Sequence, residues 1–196
     1  LTKMIGFQPR FPILYAGTFG KVNGIEYVLN IAEKSIEIDP TIVFILIGDG
    51  SEKTAIIEKA IEKNILDKNV FIIDAVSKQE LPQLYYECAM GSSFVIPIKE
   101  LWANSANKFF DTLAAGKPIL INHEGWQKDV ILNKNIGFVL PDKLNDSAIK
   151  EFALYTQKED LYKKQQENAL QVAKENYSLE IALSKYDKIF NKIKTK

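Results

Sequence analysis

Apolar runs of strand length alternate along this chain with stretches whose apolar residues recur every three or four positions. Ile13-Leu14-Tyr15-Ala16 is a short continuous run closed by Gly17. After Gly24, the residues Ile25, Val28, Ala32 and Ile36 share one face of a helix. Ile42 to Ile47 is rich in β-branched residues and stops at the turn signal Gly48-Asp49-Gly50. Ile56, Ile57, Ala60 and Ile61 mark another helix, and Val70 to Ile73 a third strand. Ser77 and Glu80 have capping-box spacing, and Pro82 falls early enough in the following helix to be tolerated. Phe94-Val95-Ile96 predicts a fourth strand, Ile119-Leu120-Ile121 a fifth and Gly137 to Leu140 a sixth. A helix from about Asn104 to Ala115 joins the fourth and fifth, capped by Asn104 or Ser105, with Phe109, Phe110, Leu113 and Ala114 toward the sheet.

The strand candidates are continuous in apolar character, as expected of a sheet covered on both faces. Alternation of such strands with helices predicts an α/β fold: a doubly wound, Rossmann-like parallel sheet of about six strands with C-terminal helices. Sheets of this kind bind ligands beyond the carboxyl ends of their strands, where the strand order reverses. Gly17, Gly48, Ala75, Pro97 and Asn122 fall at those ends. From about Asp146 the chain reads as helical and charged. Leu179, Leu183, Tyr186, Phe190 and Ile193 form one apolar stripe on a terminal helix, expected to pack on the domain's own surface or else on a second domain.

At 196 residues the chain has the length of one domain. Its 25 basic residues balance 25 acidic ones, so no net field draws it toward nucleic acid or anionic lipid. One cysteine, Cys88, cannot form an internal disulfide, and with one histidine, His123, it falls short of the about four ligands of structural zinc. No Asp-x-Asp pair is present to hold a metal on a sugar phosphate. Apolar runs such as Val43 to Ile47 are far shorter than the roughly 20 residues of a membrane span. No leader is evident, and the expected location is cytoplasmic. The start at Leu1 rather than Met suggests a piece of a longer protein.

Two stretches carry chemistry. Ala16-Gly17-Thr18-Phe19-Gly20-Lys21-Val22-Asn23-Gly24 runs from the first strand into the first helix, where glycines let backbone amides approach a phosphate. Its spacing is neither the dinucleotide fingerprint nor a P-loop. The second runs Asn104-Ser105-Ala106-Asn107-Lys108-Phe109-Phe110-Asp111-Thr112-Leu113-Ala114-Ala115-Gly116-Lys117-Pro118. Asn107, Lys108 and Asp111 lie in the first turns, with Lys108 and Asp111 three apart on one face. A cation beside free helix amides suits a diphosphate, and a carboxylate one turn deeper suits ribose hydroxyls. The alternative is a solvated Lys-Asp pair. His123 has no nearby serine elbow and reads as a loop residue. Cys88 reads as core filler on a helix.

Together with Ile47-Gly48-Asp49-Gly50, Leu81-Pro82-Gln83-Leu84-Tyr85 and Tyr177-Ser178-Leu179-Glu180, these stretches resemble the C-terminal domain of the retaining glycosyltransferase family 4, which has the two-domain GT-B fold. The resemblance runs from Tyr15 to Phe190 and is strongest to enzymes that build bacterial surface polysaccharides (capsule and lipopolysaccharide). It implies that residues 1–196 are the donor-binding domain, with an acceptor domain N-terminal to it. It implies a nucleoside diphosphate sugar, a UDP-sugar, as donor, with no cofactor and no metal, and an acceptor such as a lipid-linked sugar. The full-length enzyme would then be cytoplasmic or peripheral at the inner membrane face.

The same resemblance assigns roles. Gly17 and Thr18 would approach the donor phosphates, and Ala75 and Val76 would hold the base through backbone groups. Lys108 would pair with the diphosphate as the catalytic cation, and Asp111 would hold the ribose. The family's first glutamate, which contacts the transferred sugar, falls at Ala103, with Glu100 nearby but out of register. Its basic residues after the first strand fall at Thr18 and Asn23, leaving Lys21 to compensate. A GT-B sugar epimerase and a nonenzymatic transferase-like subunit remain open alternatives.

Overall fold

The structure is a computed structural model that describes residues 1–194, with side chains described as far as Asn191. Six strands form one parallel sheet: β1 (Phe11–Ala16), β2 (Ile42–Ile47), β3 (Val70–Ile73), β4 (Met90–Ser93), β5 (Ile119–Ile121) and β6 (Gly137–Val139). Their order in the sheet is β3-β2-β1-β4-β5-β6. α1 (Thr2–Ile5) precedes them, and between or after them come α2 (Ile25–Ser35), α3 (Lys53–Glu62), α4 (Leu81–Glu87), α5 (Asn107–Ala114), α6 (Trp126–Lys134), α7 (Asp146–Tyr155), α8 (Glu159–Asn176) and α9 (Leu179–Lys194). The chain winds outward from β1 to β3, then returns to lay β4 on the other side of β1. That reversal opens a crevice at the carboxyl ends of β1 and β4.

Period-two alternation divides the strands between two cores. Ile13, Tyr15, Phe44 and Leu46 pack with α2 and α7 through Val28, Leu29, Phe152 and Ala153. Leu14, Ala16, Val43, Ile45 and Ile47 face the other way, onto Leu84, Tyr85 and Cys88. A third cluster joins Phe109 and Leu113 of α5 to Ile119 and Ile121 of β5 and to Ala169 and Val172 of α8. The doubly wound architecture read from the sequence is the one observed.

Four details differ from the sequence-based expectation. First, the fourth strand is Met90–Ser93, upstream of the apolar run Phe94-Val95-Ile96. Phe94 and Val95 are buried, yet the Asn122 side chain occupies the Val95 backbone on both sides. Its Oδ1 accepts from Val95 N at 3.0 Å and its Nδ2 donates to Val95 O at 2.8 Å, so no neighbouring strand pairs there. Asn122 is thus a clamp between two loops rather than an open group on the ligand edge.

Second, α5 starts at Asn107 with Ala106 before it and has no side-chain cap. The Asn104 carbonyl is held instead by Trp126 Nε1 at 3.0 Å and Gln127 Nε2 at 2.9 Å. Third, Ala114 is exposed, while Thr112 is fully buried beneath α5. Fourth, the α9 stripe is not packed on the domain: Leu179, Leu183, Tyr186 and Phe190 are all exposed. The Ile193 side chain lies outside the described ones.

The small residues of β4 follow from the close approach of α5. A Cβ on Gly91 would stand 2.0 Å from Thr112 Oγ1 and 2.6 Å from its Cγ2. Ser92, also buried, satisfies its hydroxyl by donating to Leu14 O at 3.0 Å. Gly91→Ala is therefore expected to destabilise the fold by about 1–3 kcal/mol through overpacking. Gly20→Ala, whose nearest contacts would be 3.7 and 3.8 Å away, is expected to be neutral or to stabilise by up to about 1 kcal/mol. Urea unfolding of both variants checks this, and equal losses would contradict it.

Candidate functional site

The loop after β1 is fixed from both sides. Gly17 N donates to Ile47 O at 2.9 Å, extending the ladder with β2, and Phe19 N donates to Asp49 O at 2.8 Å. Phe19 is fully buried and pins the loop. The Tyr15 hydroxyl donates to Thr18 O at 2.7 Å. Asn23 Nδ2 donates to Tyr15 Oη at 2.9 Å and to Thr18 O at 2.8 Å. Burial pushes the Tyr15 phenol up to about 12, against the opposing pull of Asn23, so it stays neutral. Asn23 is thereby committed to holding the loop in shape.

Across the crevice stands α5. Lys108 is half-buried, and its Nζ lies 4.8 Å from the centre of the Tyr15 ring. The same Nζ is 3.1 Å from where a Cβ on Gly17 would be, so any side chain at 17 would crowd the amine. Burial lowers the Lys108 pKa, and the Asp111 carboxylate partly restores it. Desolvation by the cavity walls raises the Asp111 pKa, with Lys108 pulling it back. A desolvated ammonium over an aromatic face retains some compensation from the ring. It also remains available to an anion, because no carboxylate forms an ion pair with it among the described residues.

These groups line a cavity of about 1280 Å³. Gly17, Thr18, Asn107, Lys108 and Asp111 are all on its wall. Ala75 and Val76 line a smaller cavity of about 300 Å³, which shares Ala16, Gly17, Thr18 and Leu81 with the larger one. Lys21 is exposed on the 3-10 turn Lys21–Asn23 and lines neither cavity, so compensation by that residue is not supported. Its place as a second cation on the wall is taken by Lys78, which the sequence did not single out. Lys78 lies in the turn tied by Ser77 and Glu80, whose carboxylate accepts from Ser77 N at 2.9 Å. Tyr85 and Glu100 also line the larger cavity. Burial, reinforced by Asp111, holds the Tyr85 phenol above its ordinary range.

His123 is buried in the loop after β5, its Nδ1 2.8 Å from Glu124 O, and burial lowers its pKa. It lines neither cavity. Cys88 is buried at the end of α4, its thiol donating to Tyr85 O at 3.1 Å, and burial pushes it up to about 12. Among the described residues, no group of three or more His, Cys, Asp or Glu is placed to hold a metal ion.

This arrangement suits an elongated anion: a cation and uncapped helix amides at its middle, a carboxylate one turn deeper, and an apolar recess alongside. Residues 7–172 match the family model described as glycosyl transferases group 1. The chain belongs to that family. Among solved structures it is similar to TarM of S. aureus, in a complex with fondaparinux, alpha-GlcNAc-glycerol and UDP (TM-score 0.77, 17% identity, covering 93% of this chain and 36% of that one). It is similar to the C-terminal domain of the group 1 glycosyl transferase LpcC from Francisella tularensis (TM-score 0.69, 14% identity, covering 87% and 88%). It is also similar to HepE of Anabaena in complex with UDP-glucose (TM-score 0.75, 14% identity, covering 97% and 51%). At these identities the likeness establishes the fold, that of one GT-B domain. The chain spans about a third of TarM and half of HepE. No curated protein matches its sequence. Among the described residues, no helix is long and apolar enough to cross a membrane.

Lys108 is expected to titrate below the roughly 10.4 of a free lysine. Asp111→Asn should lower it further, because the carboxylate favours the charged amine. NMR titration of labelled lysine amines checks both. An ordinary titration point for Lys108, or no response to Asp111→Asn, would mean that the amine is solvated.

Proposed function

We propose that this chain is the donor-binding half of a two-domain GT-B glycosyltransferase. On this reading it holds a UDP-sugar, and the full-length protein transfers the sugar, with retention at the anomeric carbon, to an acceptor in cell-surface polysaccharide synthesis. One observation carries the proposal: the desolvated Lys108 ammonium stands at the uncapped start of α5, against the Gly17 backbone, with Asp111 one turn along. UDP in the TarM complex and UDP-glucose in the HepE complex support the choice of donor.

In this arrangement the diphosphate meets Lys108, the first-turn amides at Asn107 and Lys108, and the backbone at Gly17 and Thr18. The ribose hydroxyls donate to Asp111, and the base enters the recess at Ala75 and Val76. During transfer the bond from the anomeric carbon to the outer phosphate oxygen breaks, and its electron pair stays on that oxygen. Lys108 and the α5 amides are fixed before the reaction and stabilise that charge without reorganising. The acceptor, for example a lipid-linked sugar, and any catalytic base belong to an N-terminal domain. The uncovered stripe Leu179, Leu183, Tyr186 and Phe190 supports such a neighbour.

Lys108→Ala removes a charge-assisted hydrogen bond worth roughly 1.5–3 kcal/mol, so UDP affinity should fall about 10- to 150-fold. UMP should lose less, lacking the second phosphate. Asp111→Ala should weaken UDP, UMP and uridine alike, and Asp111→Glu should be tolerated best. A solvated pair worth under about 1 kcal/mol would leave the affinity unchanged in all of these variants. Calorimetric titration decides between the two.

Two further outcomes are expected. UDP binding to the wild-type chain should survive chelation, and a large loss of affinity under chelation would count against the reading. The 196-residue chain should bind UDP yet transfer no sugar, and transfer by the purified chain to any acceptor would sink the two-domain assignment.

A further inference from the structure

Lys108 lies in the first turn of α5, and that helix has no side-chain cap to fix where it starts. A half-buried ammonium is useful to an anion only at one depth, and any freedom left at the helix start would be lost on binding. Another element must therefore hold the entry of α5.

The holding residues come from α6. Trp126 Nε1 donates to Asn104 O at 3.0 Å, and Gln127 Nε2 donates to the same oxygen at 2.9 Å. The Trp126 ring also packs on α5 itself, edge-on to Phe109 with centroids 5.2 Å apart and stacked with Phe110 at 6.2 Å. Trp126 thus grips the chain on both sides of Lys108, at Asn104 before it and at Phe109 and Phe110 after it. The start of α6 comes this close because Gly125 has no side chain. A Cβ there would be 2.7 Å from Trp102 O, and its φ of +94° lies in the region that favours glycine.

Gln127 is fully buried, and a buried amide is unfavourable unless its polar atoms are paired. Its Nε2 is committed to Asn104 O. Its Oε1 makes no hydrogen bond among the described residues, although it stands near enough to His123 to favour the charged form of that ring. An apolar side chain of similar shape would serve the core at least as well. The amide is explained by the carbonyl it holds, not by the packing around it.

We infer that Trp126 and Gln127 are positioning residues for Lys108, fixing the entry of α5 so that the amine is in place before the diphosphate arrives. The inference rests on the UDP-sugar reading above. Neither residue lines either cavity, so both act through α5. A binding group held by a braced second layer loses little freedom when the ligand binds.

The test is calorimetric titration with UDP and uridine of the 196-residue chain and its Trp126→Phe, Gln127→Met and Lys108→Ala variants, with each of the first two also combined with Lys108→Ala. Trp126→Phe keeps a ring against Phe109 and Phe110 and removes the N–H. Gln127→Met keeps the length of the side chain and removes the donor. Each should weaken UDP about three- to tenfold and leave uridine, which has no phosphate, within about twofold. In the Lys108→Ala background the same changes should alter UDP affinity by less than about twofold, because the group they position is gone. Thermal unfolding verifies that the variants fold, and if one of the two does not, the other carries the test alone. The inference is overturned if the folded single variants bind UDP as the wild type does. It is equally overturned if uridine weakens as much as UDP, or if the loss is the same with and without Lys108, because the pair would then serve only the general packing of the domain. A wild type that binds no UDP, or a Lys108→Ala variant that binds it unchanged, would instead remove the donor site proposed above, and this inference with it.

Discussion

The functional edge of this domain depends on one costly arrangement, a lysine ammonium drawn partly out of water at the point where β1, α5 and the loop after β1 converge. Burial disfavours the charged amine, and the Tyr15 ring and Asp111 only partly compensate. Several otherwise unrelated residues are explained by that placement. A side chain at Gly17 would bring its Cβ within 3.1 Å of Lys108 Nζ, so the glycine leaves the amine its place, and its φ of +155° also disfavours a substitution. Tyr15 is buried with its hydroxyl tied to Thr18 O, which presents the ring to the amine and the loop backbone to the cavity. Gly91 lets α5 settle against the sheet, and that contact sets the depth at which Lys108 enters the crevice.

The rest of the loop shows what stands where the family resemblance places basic residues, at Thr18 and Asn23. Asn23 has become structural, donating to both Tyr15 Oη and Thr18 O. Lys21 faces solvent. The positive charge on the wall comes from Lys108 on α5 and Lys78 in the turn before α4, rather than from the loop after β1. A partly desolvated cation interacts with a phosphate more strongly than a solvated one, so one well-placed lysine can do the work of several at the surface.

Most of the architecture was legible in the sequence because a parallel sheet buried on both faces writes itself as continuous apolar runs. β1, β2, β3 and β5 were read that way. β4 was not, for a physical reason: its residues are Met90-Gly91-Ser92-Ser93, kept small by Thr112 above and made tolerable by the Ser92 hydroxyl bond to Leu14 O. The apolar run lay just beyond, where Asn122 takes over the backbone. The start of α5 was misplaced because an Asn-Ser pair resembles a cap, whereas the Asn104 carbonyl is anchored to α6. At the site, helical spacing put Lys108 and Asp111 together without any coordinates. Lys21, Lys78 and Glu100 lie in turns, where periodicity does not say which way a side chain faces. Only the folded path brings Lys78 and Glu100 to the cavity and leaves Lys21 outside.

The overall charge of zero conceals how charge is arranged along the cavity. Lys108, Lys78 and Glu100 all line it, so its wall carries both signs. A ligand of uniform charge would meet groups of both signs on this wall. A nucleotide sugar suits a wall of mixed charge, because it is anionic in the middle and carries neutral hydroxyl donors at the sugar end. The same division separates donor from product. On the proposed reading, Lys108 holds whatever carries the diphosphate, including the UDP left after transfer. Lys108 then sets, on that reading, how firmly the spent nucleotide stays.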